Sequence, residues 1–173
     1  MYVDILILAS ILAQPRHGYE IKRQVEATIG SRISINNNHL YPALRRFEEV
    51  GAITREVVRT PGRPDKHVYQ VTDRGAEILQ DLLRDFTLEQ ARDDTEFQVH
   101  VAFFHLLEPE ARLAILAARE AVLQGWQAHL THSLTLALER PDLLHFARHI
   151  IEFNQQRIQH ELDWIAQLRQ ETN

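Results

Sequence analysis

Cysteine is absent from the 173 residues, so neither a disulfide nor a thiolate metal site can form. This suits a reducing compartment, and a cytoplasmic location is expected. Glycine is scarce: there are six, and they form no P-loop, no dinucleotide fingerprint and no G-x-S-x-G elbow. Catalysis is therefore not expected, and no cofactor is implied. A long hydrophobic run is also missing. The longest, Ile5 to Leu8 extending to Leu12, is interrupted by Ser10 and falls short of the roughly 20 residues a membrane helix needs. Met1 to Asp4 precede it without a Lys or Arg, so neither a membrane segment nor a signal peptide is expected. The chain has no internal repeat, low-complexity tract or run of like charge.

What is present is enough apolar material, 45%, for one or two small cores. The net charge of −5 is unevenly spread. Residues 1–85 hold 12 Lys and Arg against 11 Asp and Glu, a net of +1, and residues 86–173 hold 7 against 13, a net of −6. The first half can still offer a local basic face, but only through well-placed cations.

The most informative stretch runs from Ser34 to Gly51. Leu40, Leu44 and Phe47 recur at helical spacing, which predicts one apolar face. Asn38, Tyr41, Pro42 and Arg45 fall opposite. Asn and Arg can each bond a base edge in pairs, Asn to adenine and Arg to guanine. Ser34 or one of the three asparagines can cap the start, and Gly51 can end the helix. Such a helix suits DNA recognition, although an ordinary surface helix has the same pattern. Pro42 has no amide to donate, so either the helix starts later than Asn36 or its first turn is distorted.

Around this stretch, Tyr2 to Leu12 predicts a first helix, buried because it is apolar almost all round. Gln14 to Gly18 reads as a turn. A second helix over about Tyr19 to Ile29 follows, with Ile21, Val25 and Ile29 on one face and Gly30 as its stop. Two short helices joined by a tight turn match a helix-turn-helix. Ala52 to Thr60 and Lys66 to Val71 are strand candidates, joined by Pro61-Gly62-Arg63-Pro64-Asp65. Arg59, Arg63, Lys66 and His67 crowd that hairpin tip, as in the wing of a winged helix. Thr72 or Asp73 then caps a fourth helix with Leu79, Leu82, Leu83 and Phe86 in one stripe. Residues 87–95 are a candidate linker. Beyond it come a helix from Glu96 to Leu107, one from Pro109 to about Leu138 and one from about Leu143 to Gln170. The stripe Ile151, Ile158, Leu162 and Ile165 on the last helix predicts a partner chain. The fold class expected is mainly α with an α+β wing. A winged helix-turn-helix at 1–87 is followed by an antiparallel helical dimerisation domain at 96–173.

With the wing in place, the first half resembles the PadR family of bacterial transcriptional regulators. The residues that carry this are His17-Gly18-Tyr19-Glu20-Ile21, Leu40-Tyr41-Pro42-Ala43-Leu44, Glu49-Val50-Gly51-Ala52-Ile53, Gly62-Arg63-Pro64, and Tyr69 through Gly75. They lie in order over about 60 residues. The second half resembles the longer PadR subgroup in architecture, with Phe97 to Leu107 and Trp164-Ile165 as local echoes. The resemblance implies a homodimer on a palindromic double-stranded DNA operator, usually as a repressor. It implies DNA contacts at Tyr19, Asn37, Asn38, His39, Tyr41, Arg63 and Lys66, beside Arg45 from the helical wheel. It also implies a small aromatic effector, for which Trp126 and Trp164 are the candidate stacking rings.

Two other readings stand beside this one. His145 and His149 lie four apart with Glu152 three further on, which would place three ligands on one helix face. Without cysteine or an HExxH signature no metal is expected, and exposed helical histidines explain the pattern. A winged helix used only for protein–protein contact is the alternative to DNA binding.

Overall fold

The computed structural model describes residues 2–28, 35–59, 66–139 and 141–172. The chain divides into two compact units, Met1–Thr87 with Asp93–Leu107, and Leu88–Arg92 with Glu108–Asn173.

The first unit is built on α1 (Tyr2–Ala13), in which seven consecutive residues, Ile5 to Ile11, are buried. An amphipathic helix buries one stripe, whereas this one is covered all round, as its sequence demands. The elements packed on it include α2 (Gly18–Thr28), α4 (Asp73–Arg84), α6 (Asp94–Ala102) and strand β3 (Lys66–Val71). The sheet has three strands in the order β1-β3-β2, all antiparallel, with β1 at Arg16–His17 and β2 at Ile53–Val58. The segment expected to be only a turn thus contributes β1, which pairs Arg16 with Tyr69 and His17 with Val68. The expected hairpin tip and the second helix's stop at Gly30 lie outside the described residues, as does Arg63.

Helix α3 (Asn37–Glu49) begins after Asn36, whose side chain accepts from the His39 amide. Pro42 sits inside the helix, so the Asn38 carbonyl lacks the amide that would normally close that turn. At the other end Gly51 takes a positive φ of 73°. The Gly51 amide bonds Glu48 and the Ala52 amide bonds Phe47, the double closure of a Schellman motif, with Phe47 and Ala52 both buried. Thr72 caps α4 by accepting from the Gly75 amide, and its hydroxyl lies 2.7 Å from the Gly51 carbonyl oxygen. Gly75 meets the same spot: a Cβ there would stand 2.0 Å from the Ala52 carbonyl oxygen. The close of α3, both ends of the hairpin and the start of α4 therefore meet at one point.

The expected linker is structured. Leu88–Arg92 forms α5, and Asp93 caps α6 by accepting from the amides of Thr95 and Glu96. Residues 96–107, expected in the second domain, lie in the first unit. Phe97, Val99 and His100 are fully buried there, and Glu96 accepts from the Tyr2 amide at 3.0 Å. The helix expected to reach Leu107 ends at Ala102 and gives way to a 3-10 turn, Phe104–Leu106. The His100 ring bonds the Glu96 carbonyl oxygen through Nδ1 and lies edge-on to Phe86. Burial pushes its pKa below the ordinary histidine value.

In the second unit α7 (Pro109–Glu139) and α8 (Pro141–Thr172) run antiparallel, as the pairs Arg119–Glu161 and Gln127–Gln159 show. Leu116, Leu123, Ile158 and Ile165 are buried between them. The stripe expected to meet a partner thus faces α7, and the outward apolar residues of α8 include Phe146, Ile150 and Phe153, 80%, 61% and 59% exposed. Arg119 is fully buried. It grips both oxygens of Glu161 at 2.7 and 3.0 Å and the Ala91 carbonyl of α5 at 2.8 Å, and its guanidinium lies over Trp126.

Gly75→Ala is expected to cost about 1–3 kcal/mol of stability, outweighing the roughly 1 kcal/mol of helix propensity it gains. Urea midpoints measure it, and an unchanged midpoint would mean that α4 can leave Ala52 freely. A second expectation concerns pH. Unfolded, His100 takes a proton near its ordinary value of 6.5, while the buried ring stays neutral to lower pH. Its contribution is thus complete above pH 6.5 and is lost as pH falls below it, at up to about 1.4 kcal/mol per pH unit. The loss of stability between pH 7.5 and 5.5 should be smaller in His100→Gln, and an equal loss would show that other groups carry it.

Candidate nucleic-acid interface

Helix α3 presents two faces. Leu40, Ala43, Leu44 and Phe47 are buried, while Asn37, Asn38, His39, Tyr41, Pro42 and Arg45 are exposed. Asn38, Tyr41 and Arg45 form one outward stripe at helical spacing. Asn36 is spent on the cap, which leaves the side chains of Asn37 and Asn38 without a hydrogen bond to any described residue. Arg45 likewise has no ion pair among the described residues, whereas the adjacent Arg46 turns aside to Asp4 at 2.6 Å and lies over the Phe47 ring. Two neighbouring arginines thus have different work, one structural and one facing solvent.

Beside α3 lies a concavity of about 200 Å³. Tyr41 comes from α3 and Tyr19 from the first turn of α2. His67 and Tyr69 come from β3 with Lys66, and His17 from β1. Gly18 lets these walls close: a Cβ there would lie 3.2 Å from the Tyr41 hydroxyl and ring. Residues i and i+2 of a strand share a face, which aligns His67 with Tyr69 toward the helices. The His17 ring stacks on Tyr19 at 5.8 Å between centroids and, through Nδ1, bonds the His67 carbonyl at 3.0 Å. The Glu20 carboxylate takes the His17 amide at 2.8 Å, and that bond holds its pKa below the usual range. Burial raises the pKa of Tyr69, so its hydroxyl stays protonated.

Of the expected residues, the structure gathers Tyr19, Tyr41 and Lys66 around one concavity and sets Asn37, Asn38, His39 and Arg45 along the exposed side of the same helix as Tyr41. Arg63 lies outside the described residues. Sequence reasoning missed His17 as a contact to the wing. The bond spans 50 residues, and only the pairing of β1 with β3 could have signalled it. Trp126 is 39% exposed on α7, and Trp164 is partly buried on α8. His145 and His149 stand 4.9 Å apart as rings, with Glu152 3.9 Å from His149, but no metal-holding group of three or more converges among the described residues. Nor is any described helix long and apolar enough to cross a membrane.

Residues 7–81 match the Transcriptional regulator PadR-like family. The chain is 35% identical over 73 residues to the probable transcriptional regulator Rv1176c of Mycobacterium tuberculosis, a match covering 42% of this chain and 39% of that protein. The chain thus spans about two fifths of that relative's length. Among solved structures, Bacillus subtilis PadR in complex with operator DNA is 17% identical with a TM-score of 0.47, covering 100% of both chains. The same protein in complex with p-coumaric acid is 20% identical with a TM-score of 0.44, covering 99% of both. Within residues 7–81 the described motifs of the resemblance lie at the concavity, on α3 or at the Gly75 junction.

Proposed function

We propose that the protein regulates transcription by binding a palindromic operator as a homodimer, usually to repress. The observation that carries this is the outward stripe Asn38, Tyr41 and Arg45, uncommitted to the fold, on a PadR-like α3 beside a concavity holding Lys66. Amide and guanidinium groups at that spacing fit base edges in a major groove, and the surrounding hydroxyls and cations fit the backbone. A cytoplasmic location belongs to the same reading.

Selecting bound fragments from random duplex DNA tests the reading and yields the operator with its symmetry. On the selected fragment Asn38→Ala should cost about 1–3 kcal/mol more than on random duplex. Equal losses on both would move Asn38 to the backbone. Failure to enrich any sequence would favour the protein-contact module.

Dimerisation is supported by the outward apolar stripe Phe146, Ile150 and Phe153 of α8, which the hairpin leaves uncovered. A two-fold dimer would place two α3 helices in successive major grooves, roughly 10 base pairs apart. Replacing all three residues by Ser should leave the helix content intact and halve the mass seen by light scattering. Operator affinity should fall as the second half-site loses its tether. A variant that keeps the parent mass would place the dimer interface elsewhere. The same reading includes a small aromatic effector that favours the DNA-free state, with Trp126 offering an accessible ring and Trp164 a second.

A further inference from the structure

The DNA-facing surface has few permanent cations but several imidazoles. The domain's net charge is close to zero, and the cations described at this face are Lys66 at the concavity and Arg45 on α3. His17 and His67 line the concavity, and His39 is exposed on the first turn of α3. The concavity suits one tetrahedral anion. The phenol group of Tyr41 can donate, Lys66 supplies a charge, and its volume of about 200 Å³ is of the right order for a phosphate with its water. Both histidines sit in its wall, and neither is a metal ligand or a core residue.

We infer that His17 and His67 bind a backbone phosphate of DNA together with Tyr41 and Lys66, and that the imidazoles take up protons when DNA binds. This rests on the DNA-binding reading and adds to it a dependence on pH. The His17 Nδ1–H donates to the His67 carbonyl, an acceptor only, so the ring can gain a proton at Nε2 without losing this bond. Bound phosphate then sees an imidazolium in place of a neutral ring. The other charges facing the rings are few. Glu20 is held by the His17 amide and the Tyr19 hydroxyl, and Arg16 is turned to the Ser10 carbonyl. Beyond Tyr69 the Arg55–Glu48 pair is internally neutral. A phosphate brings a negative charge that only the complex contains. An imidazole within about 6 Å of such a charge gains about one pKa unit. Histidine titrates near neutrality, so the effect falls within the physiological range. One unit of difference between free and bound states makes binding roughly fivefold tighter at pH 6 than at pH 8 for each histidine.

The test uses the full chain and a fluorescein-labelled mixed-sequence duplex of 30 base pairs, with anisotropy titrations at pH 6.0 and 8.0 at equal ionic strength. Circular dichroism at both pH values checks that the fold persists. The chain is expected to bind five- to thirtyfold more tightly at pH 6.0. Its slope of log affinity against log salt should also be steeper there, by up to about 0.9 for each imidazolium that meets a phosphate. In His17→Gln with His67→Gln the ratio between the two pH values should fall to near one, or to the smaller remainder carried by His39. Equal affinity of the parent at both pH values would overturn the inference while leaving DNA binding intact. So would a ratio that survives in the double variant and vanishes in His39→Gln. No binding at either pH would remove the DNA-binding reading and this inference with it.

Discussion

The first unit depends on one van der Waals limit, the contact of Gly75 with the Ala52 carbonyl. There is room for a hydrogen and none for a methyl. Around that contact the Schellman turn closes α3, Thr72 bonds back to Gly51 and Ala52, and β2 and β3 pair from Ile53 and Val71. The angle between α3 and the hairpin is set here by backbone against backbone. Side chains can repack around a changed neighbour, but a carbonyl fixed by two hydrogen bonds cannot easily do so. On the solvent side of α3, Arg46 and Tyr41 still serve the fold through Asp4 and Gly18.

The parts of the fold written locally in the sequence were legible there. α1 is apolar on all sides, and it is buried on all sides. Leu40, Leu44 and Phe47 forecast which face of α3 turns inward, and that left Asn38, Tyr41 and Arg45 outside. Pro109 forecast the start of α7. Features that depend on distant partners were not legible. β1 is two residues long and exists because β3, far along the chain, has an edge to pair with. α5 looked like a polar linker, since a five-residue helix has no stripe to show. Its burial comes from the second unit, where Arg119 binds the Ala91 carbonyl. Hydrophobic spacing on α8 suggested an outward stripe of Ile151, Ile158, Leu162 and Ile165. Periodicity reports that a face is apolar but does not say whether the cover is the same chain or another.

Arg119 illustrates a cost met in full. A guanidinium without water is expensive, and half-measures would leave it destabilising. It has two carboxylate oxygens of Glu161, a backbone carbonyl and the face of Trp126. The geometry is the bidentate fork that suits Arg and not Lys. The result ties α5, α7 and α8 at one atom cluster, with a directionality that apolar packing of the same helices would lack.

Neither unit is a continuous stretch of sequence. The chain leaves the first unit after Thr87, gives α5 to the second, returns from Asp93 to Leu107, and leaves again. Modular evolution by cutting and joining genes is therefore constrained. A recombination point between α4 and α5 would carry off Phe97, Val99 and His100, so the donor of a new second half must also supply a fitting wedge for α1. The recombination point that keeps the first unit whole lies near Glu108, and it separates α5 from Arg119 unless the incoming segment brings its own cation. Exchanges of second units among such chains would then travel as coupled pairs of segments, with α6 inherited alongside the first unit and α5 matched to the hairpin it serves.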